Sequence, residues 1–195
     1  MNIFNRVGRS LALAGSLAFT ASGSGQEILV CGDSLMQTVS RSIARQFRAT
    51  PSANVTPVVS IGTGLARPDV FDWPAKLREA AAGRPAAAVI LLGANDGQNL
   101  RTASGAVLVN GTPEWEREYA ARVASVLQTL KQGGVGYVLW VGLPDMRESR
   151  LQDDAQRINR IIRAECARMS GVEFFDIAPL FSPKPGTFSP YLVRP

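Results

Sequence analysis

Two short loops carry side chains suited to nucleophilic chemistry, and each follows an apolar run. The first is Gly32-Asp33-Ser34, directly after the run Ile28 to Cys31. A serine in a sharp turn between a strand and a helix has an exposed hydroxyl, and its backbone N–H lies near a helix N-terminus, where developing negative charge is stabilised. Asp33 or Ser34 would also serve as an ordinary cap for a helix that begins at Leu35. Ser34 is therefore a candidate nucleophile with a structural alternative.

The other is Gly93-Ala94-Asn95-Asp96-Gly97-Gln98, after the run Ala86 to Leu92. The Asn95 amide donates hydrogen bonds without carrying a charge, which suits it to hold an oxyanion. Asn-Asp-Gly is also ordinary turn chemistry. A further stretch, from Ser60 to Pro74, contains two glycines whose N–H groups a ligand could approach closely; these are Gly62 and Gly64.

Five apolar runs, with helical patterns between them, predict the elements that position these loops. This rhythm is typical of a parallel sheet with crossover helices. In such a doubly wound sheet, ligands bind beyond the carboxyl ends of the strands, which is where the candidate residues lie. The runs are Ile28 to Cys31, Val55 to Ile61, Ala86 to Leu92, Val135 to Gly142 and Val172 to Ile177.

Three helices follow from apolar spacing and end signals. The first contains Leu35, Val39, Ile43 and Phe47 and ends before Pro51. Another opens at Thr112-Pro113-Glu114 and closes at Gly133-Gly134, with Thr112 as N-cap and proline in the first turn. The last runs from about Leu151 to Met169 and stops at Gly171. The tail from Ser182 to Pro195 shows neither helical nor strand period.

Length and composition predict one domain behind an export signal. The chain has 195 residues, of which 46% are hydrophobic, enough for a single core. Residues 1–23 combine a short basic region, an apolar run and small residues, as a secretory signal peptide does; the alternative is a buried N-terminal helix. The run is too short for a stable membrane anchor. We therefore expect a domain over residues 26–195 and a periplasmic or secreted location.

Charge and cysteine content exclude several other classes. Removing the leader, with Arg6 and Arg9, lowers the formal net charge from +5 to +3, and no basic stripe is interleaved with aromatic residues, so nucleic-acid binding is not expected. Without histidine or a paired cysteine motif there is no metal-ligand spacing. Cys31 and Cys166 are either a disulfide or two buried thiols.

The order Gly-Asp-Ser-Leu, a glycine after the second strand, then Gly-Ala-Asn-Asp resembles the first three sequence blocks of the SGNH/GDSL hydrolases. The stretch from Gly64 through Pro74 further resembles an exported bacterial branch of that superfamily. The resemblance spans about Ile28 to Phe181 and implies a three-layer α/β/α sandwich with a five-stranded parallel sheet of the flavodoxin-like kind. It also implies serine esterase chemistry without a cofactor or metal.

The resemblance assigns roles to individual residues. Ser34 matches the nucleophile, Asn95 matches an oxyanion donor, and Gly64 matches the second-block glycine better than Gly62 does. Four further residues are expected to bind substrate or shape the loops around it; they are Asp33, Arg67, Trp73 and Asp96. The two aspartates match the motifs and are expected to shape loops rather than act as base.

The chain departs from the family in its fourth block, Asp-x-x-His, whose histidine would deprotonate the serine. There is no histidine in the 195 residues. One explanation, which we favour, is a truncated chain whose missing block follows Pro195; the other is a protein that lost catalysis and keeps the pocket for binding. On either explanation we expect this chain to be nearly inactive.

Two function classes remain, and a third is disfavoured. The leading expectation is hydrolysis of small acyl esters through an acyl-serine, with carbohydrate O-acetyl groups as candidate substrates and acyl transfer to a sugar hydroxyl as a neighbouring reaction. The second is a non-catalytic binding module of the cell envelope. A nucleotide- or flavin-binding domain would need a phosphate-cradling loop after the first strand, where Asp33 would repel phosphate.

Overall fold

Five parallel strands form the central sheet of the computed structural model, which describes residues 26–48, 53–182, 184 and 186–190. The predicted leader and the last five residues of the chain lie outside the described residues. The strands are β1 (Gln26–Gly32), β2 (Ala53–Val59), β3 (Ala87–Leu91), β6 (Tyr137–Val141) and β7 (Val172–Phe175). Their order in the sheet is β2-β1-β3-β6-β7, and every neighbouring pair is parallel. The five predicted strands are therefore confirmed.

Helices connect consecutive strands, as the predicted parallel topology requires. The chain steps in one direction from β1 to β2 and in the opposite direction afterwards, so right-handed crossovers place the first helix on one face and the next three on the other. The helices are α1 (Ser34–Phe47), α2 (Trp73–Ala81), α3 (Pro113–Gln132), α4 (Ser149–Ala167) and the short α5 (Ala178–Phe181). The three-layer α/β/α sandwich is confirmed.

Two elements have no counterpart in the predictions. The first is α2, which is only nine residues long and whose N-cap, Asp72, accepts a hydrogen bond from Ala75 N at 2.9 Å. The second is an antiparallel hairpin of β4 (Leu100–Arg101) and β5 (Val107–Leu108). Strands of two residues show no alternation, so the hydrophobic pattern does not reveal them.

The close approach of α1 to β1 depends on Gly32. A Cβ at this position would lie 2.2 Å from Leu91 O and 2.6 Å from Met36 Cβ. β1 and β3 could not keep their spacing with a side chain here, and α1 could not start where it does. The first turn of α1, which carries Ser34, is therefore held directly over the end of β1.

The core fills both sides of the sheet with large apolar side chains. Every residue of β3 is buried, as expected for a central parallel strand covered on both faces. Trp73, Trp115, Tyr119 and Trp140 are among the largest fully buried side chains. No helix within the described part of the chain is both long and apolar enough to cross a membrane.

The N-cap of α3 offers a test of this architecture. Thr112 Oγ1 accepts a hydrogen bond from Trp115 N at 3.3 Å and donates one to Val109 O at 2.8 Å. We expect Thr112→Ala to lower the free energy of unfolding by about 1 kcal/mol, because the cap is lost. Urea unfolding followed by circular dichroism measures the change. Gln128→Ala, on the exposed side of α3, should change the same quantity by less than about 0.5 kcal/mol. Equal effects of the two substitutions would contradict the assigned cap.

Candidate active site at the carboxyl edge of the sheet

Ser34 lies at the junction between β1 and α1. Asp33 is the N-cap of α1, and its Oδ1 accepts a hydrogen bond from Leu35 N at 2.9 Å, so the structural role foreseen for Asp33 is present. Ser34 is the first helical residue and is half-buried. Its hydroxyl makes no hydrogen bond to any residue that the structure describes. The hydroxyl therefore stands at a helix N-terminus with its bonding capacity unused.

Asn95 joins the loops that follow β1, β2 and β3, which are called the first, second and third loops below. Its Nδ2 donates to Thr63 O at 2.8 Å and lies 3.4 Å from Asp33 Oδ2. The first contact is a normal hydrogen bond, whereas the second is longer than the usual range. One amide hydrogen is therefore firmly held, and the other is weakly held beside the residue that precedes Ser34. The three loops singled out in the sequence do converge.

Gly64 packs directly against the third loop. A Cβ on Gly64 would lie 2.1 Å from Asp96 Oδ1, so only glycine allows this approach. Gly62 has a φ of +72° and open space around its Cα, which indicates a turn rather than a contact. Of the two glycines considered in the sequence, Gly64 is the one that faces the Asn95 loop.

Asp96 is fully buried and holds the second loop in place. Its carboxylate accepts hydrogen bonds from Leu65 N at 3.1 Å, Ala66 N at 2.8 Å and the Tyr119 hydroxyl at 2.8 Å. These three hydrogen bonds occupy the carboxylate and fix the backbone just after Gly64.

Arg122 holds the same backbone from its carbonyl side. Its guanidinium donates to Leu65 O at 2.9 Å, to Ala66 O at 3.1 Å and to Arg101 O at 2.5 Å, while Nε pairs with Glu118. Arg122 was not among the residues that the sequence singled out. The signal available was weak: Arg122 lies three residues after Tyr119, and therefore on nearly the same face of α3 as a buried stripe.

Burial shifts the protonation of the acids in this corner. Burial raises the pKa of Asp33 from 3.8 to about 6; the charge of Asp96 adds to the rise, and hydrogen bonds from Leu35 and Ala94 oppose it. The pKa of Asp96 is also raised, chiefly by burial and against its hydrogen bonds. Burial and the neighbouring Asp96 raise the pKa of Tyr119 well above its usual value, so Tyr119 stays a donor.

The other predicted binding residues occupy different places. Trp73 is buried, and its Nε1 donates to Thr63 Oγ1 at 3.2 Å. This hydrogen bond ties the start of α2 to the second loop. Arg67 is exposed and forms an ion pair with Asp69, with Nη2 and Oδ2 2.7 Å apart. Trp73 thus belongs to the body of the site, and Arg67 lies at its surface.

A cleft of about 490 Å³ opens beside the second loop. Its walls come from residues 64–74, from the β4–β5 hairpin and from the side of α3 that carries Arg122. Gly64 and Trp73 line it, whereas Ser34, Asn95 and Arg67 lie outside the lining. We call the junction of the loops that carry Ser34, Gly64 and Asn95 the Ser34 corner. The cleft adjoins this corner at Gly64.

The described residues offer no cluster of three or more histidine, cysteine, aspartate or glutamate side chains for a metal ion. Cys31 on β1 and Cys166 on α4 are both buried free thiols. Burial raises the pKa of each to about 12, and the charge of Glu165 adds to the rise at Cys166. Both cysteines are therefore packed as small apolar residues.

Two solved structures share this fold at low sequence identity. A protein from Streptococcus pneumonia, provisionally described as a platelet activating factor, superposes with a TM-score of 0.57 at 15% identity and covers 94% of this chain and 80% of its own. A family two carbohydrate esterase from Clostridium thermocellum, solved in complex with cellohexaose, superposes with a TM-score of 0.54 at 14% identity. That match covers 82% of this chain and 56% of the esterase.

The chain belongs to the family described as protein of unknown function DUF459, because the model of that family matches residues 27–195. No curated protein matches it in sequence. The chain spans a little over half the length of the carbohydrate esterase, and the low identities to both solved structures show the fold alone. The SGNH-type resemblance found in the sequence is confirmed at that level.

The raised pKa of Asp33 predicts a pH dependence of stability. Between about pH 4 and pH 6 the folded state keeps a proton that the unfolded state has lost, so this group makes stability fall as pH rises through that window. The asparagine of the Asp33→Asn variant would keep a capping oxygen without titrating. We expect the wild type to lose stability relative to Asp33→Asn across the window, measured by urea unfolding at several pH values.

The control for this experiment is Asp72→Asn, which replaces the exposed N-cap of α2. It reports the general effect of removing a capping charge at each pH. If the wild type and Asp33→Asn give parallel pH profiles, burial of the Asp33 carboxyl does not have the energetic effect assigned to it.

Proposed function

We propose that this protein is a serine ester hydrolase that acts on small acyl esters through an acyl-serine intermediate. The observation that carries the proposal is the Asn95 amide, which joins the second loop at Thr63 and reaches Asp33 beside the nucleophile position. Three donors would then surround one point at the N-terminus of α1. They are the N–H groups of Ser34 and Gly64 and the weakly held Nδ2–H of Asn95.

In the proposed reaction, Ser34 Oγ attacks the carbonyl carbon of the ester and gives its proton to a base. The carbonyl oxygen becomes an oxyanion, which the three donors and the N-terminus of α1 stabilise. The carbonyl then re-forms, the alcohol leaves with a proton, and the acyl group stays on Ser34. Water attacks the acyl-serine by the same route and releases the carboxylic acid. We assign Asp33 and Asp96 to positioning, because their oxygens already accept hydrogen bonds from the loops.

The base is not a histidine of these 195 residues, since they contain none. Either another side chain takes the Ser34 proton, or a histidine outside these residues does so. Triad variants that lack a member keep only about 10³- to 10⁴-fold acceleration over water. The donors alone would therefore support weak turnover at best.

The carbohydrate esterase among the structural neighbours supports esters of carbohydrate hydroxyls as the first substrates to test. The layout of residues 1–23 supports a periplasmic or secreted location, where glycans with O-acyl groups would be met. Acyl transfer to a sugar hydroxyl uses the same acyl-serine and is separated from hydrolysis by an assay with added acceptor.

The first test uses the 195-residue chain and p-nitrophenyl acetate. We expect its turnover to equal that of Ser34→Ala, because no histidine is present to activate the serine. A Ser34-dependent burst would contradict this expectation and would mean that another group serves as base. The coding DNA beyond residue 195 is then read for an Asp-x-x-His block.

If that block is encoded, the longer chain tests the donors themselves. We expect Ser34→Ala to abolish its turnover of p-nitrophenyl acetate, and Asn95→Ala to lower kcat by about 10²- to 10³-fold with KM little changed, as for loss of one oxyanion donor. Thr38→Ala, on the exposed side of α1, is the matched control and should leave both constants unchanged. Full activity of the Asn95→Ala enzyme would overturn the assigned role.

The second candidate is a non-catalytic binding module of the cell envelope, which the lack of histidine favours. In that case the coding DNA would show a clean stop after residue 195 with no Asp-x-x-His in any frame. The same chain would then bind a glycan or cell-wall fragment without turning over its esters.

A further inference from the structure

The cleft beside the second loop has a size and position suited to part of a ligand. Its volume of about 490 Å³ lies within the roughly 300 to 1,000 Å³ of small-molecule pockets. It is about three times the ~150 Å³ of an apolar cavity that holds benzene. An acetyl group, with two carbons, would leave most of this space empty.

Most polar side chains of the cleft already have partners within the protein. Arg122 is shared between Glu118 and three backbone carbonyls. Asp69 pairs with Arg67, and Thr102 Oγ1 contacts Ser104 and accepts from Ala106 N. A sugar ring needs a polar partner for nearly every hydroxyl it buries. The cleft has few such groups to offer.

The surface that remains for a ligand is mainly hydrocarbon. It includes the Phe71 ring and two prolines, Pro68 and Pro74, on one wall and Ala103 on the other. The Phe71 and Trp73 rings pack against each other with their centroids 4.8 Å apart, which makes that wall stiff. Burying apolar ligand atoms against such a surface favours binding.

We infer that this cleft binds the acyl chain of the substrate and that the chain is of medium length, about six to eight carbons, rather than acetyl. The inference rests on the proposed function for the position of the reacting carbonyl. An ester held at Ser34 would pass Gly64, which lines the cleft and packs against the Asn95 loop, and lay its chain between the 64–74 wall and the hairpin. The cleft then selects the acyl part and leaves the alcohol part outside.

Binding of carboxylate products tests the inference without any turnover. The probes are sodium acetate, butyrate, hexanoate and octanoate, titrated into the 195-residue chain by calorimetry. Each buried methylene adds about 0.8 kcal/mol, or about fourfold in affinity. We expect hexanoate to bind about 15-fold more tightly than butyrate and octanoate more tightly still. Octanoate that binds no better than acetate would overturn the inference, and this series needs no variant.

A bulky side chain on the hairpin tests the location. Ala103 is exposed and lines the cleft, whereas Ala106 is exposed on the same hairpin and lies outside the lining. We expect Ala103→Trp to weaken octanoate binding at least tenfold and Ala106→Trp to leave it unchanged. Equal affinities of both variants would place the acid elsewhere and overturn the inference.

Two controls separate this inference from the proposed function and from a glycan site. Ser34→Ala should keep octanoate binding. If the longer chain turns over p-nitrophenyl acetate equally well with and without Ser34 while octanoate still binds, only the proposed function is refuted. If the longer chain shows Ser34-dependent turnover but affinity does not rise from acetate to octanoate, only the assignment of the cleft to the acyl chain is refuted. If cellohexaose binds the wild type and the Ala103→Trp substitution weakens that binding, the cleft is a glycan site and the acyl assignment is overturned.

Discussion

The Asp96 carboxylate is the interaction on which the rest of the site depends. A buried carboxylate is costly unless it accepts hydrogen bonds, and this one accepts three, from Leu65 N, Ala66 N and the Tyr119 hydroxyl. These donors belong to the second loop and to α3, while Asp96 itself belongs to the third loop. One side chain therefore joins three segments, and it fits only because Gly64 has no Cβ.

Arg122 completes this arrangement by binding the carbonyl groups of the same two residues. Asp96 takes the N–H groups of Leu65 and Ala66, and Arg122 takes their carbonyls. The peptide between Leu65 and Ala66 is bound at both its N–H and its carbonyl, so the backbone after Gly64 has little freedom to rotate. In the proposed reaction, the Gly64 N–H would benefit from such a fixed backbone, because a preorganised donor needs no reorganisation when the oxyanion forms.

The sequence predicted those elements of the fold that show a hydrophobic period, and those residues of the site that lie in a recognisable motif. The five strands, the long helices and the convergence of Asp33 and Asn95 follow from apolar runs and from the rule that ligands bind at strand ends. The hairpin and Arg122 did not, because two-residue strands have no period and an arginine on a helix usually faces solvent. Arg122 binds backbone carbonyls of the second loop and of the hairpin. Every residue has a backbone carbonyl, so no side-chain motif marks these partners.

The proposed reaction has two parts, stabilisation of the oxyanion and removal of the serine proton, and they depend on different groups. The proposed oxyanion donors come from the backbone of α1, the Gly64 loop and the Asn95 loop, which the sheet and the Asp96 hydrogen bonds hold in place. A base only moves the serine proton, whereas the donors stabilise the charge that forms on the substrate. In the proposed site the two tasks depend on different elements, so the loss of a base would not by itself displace the donors.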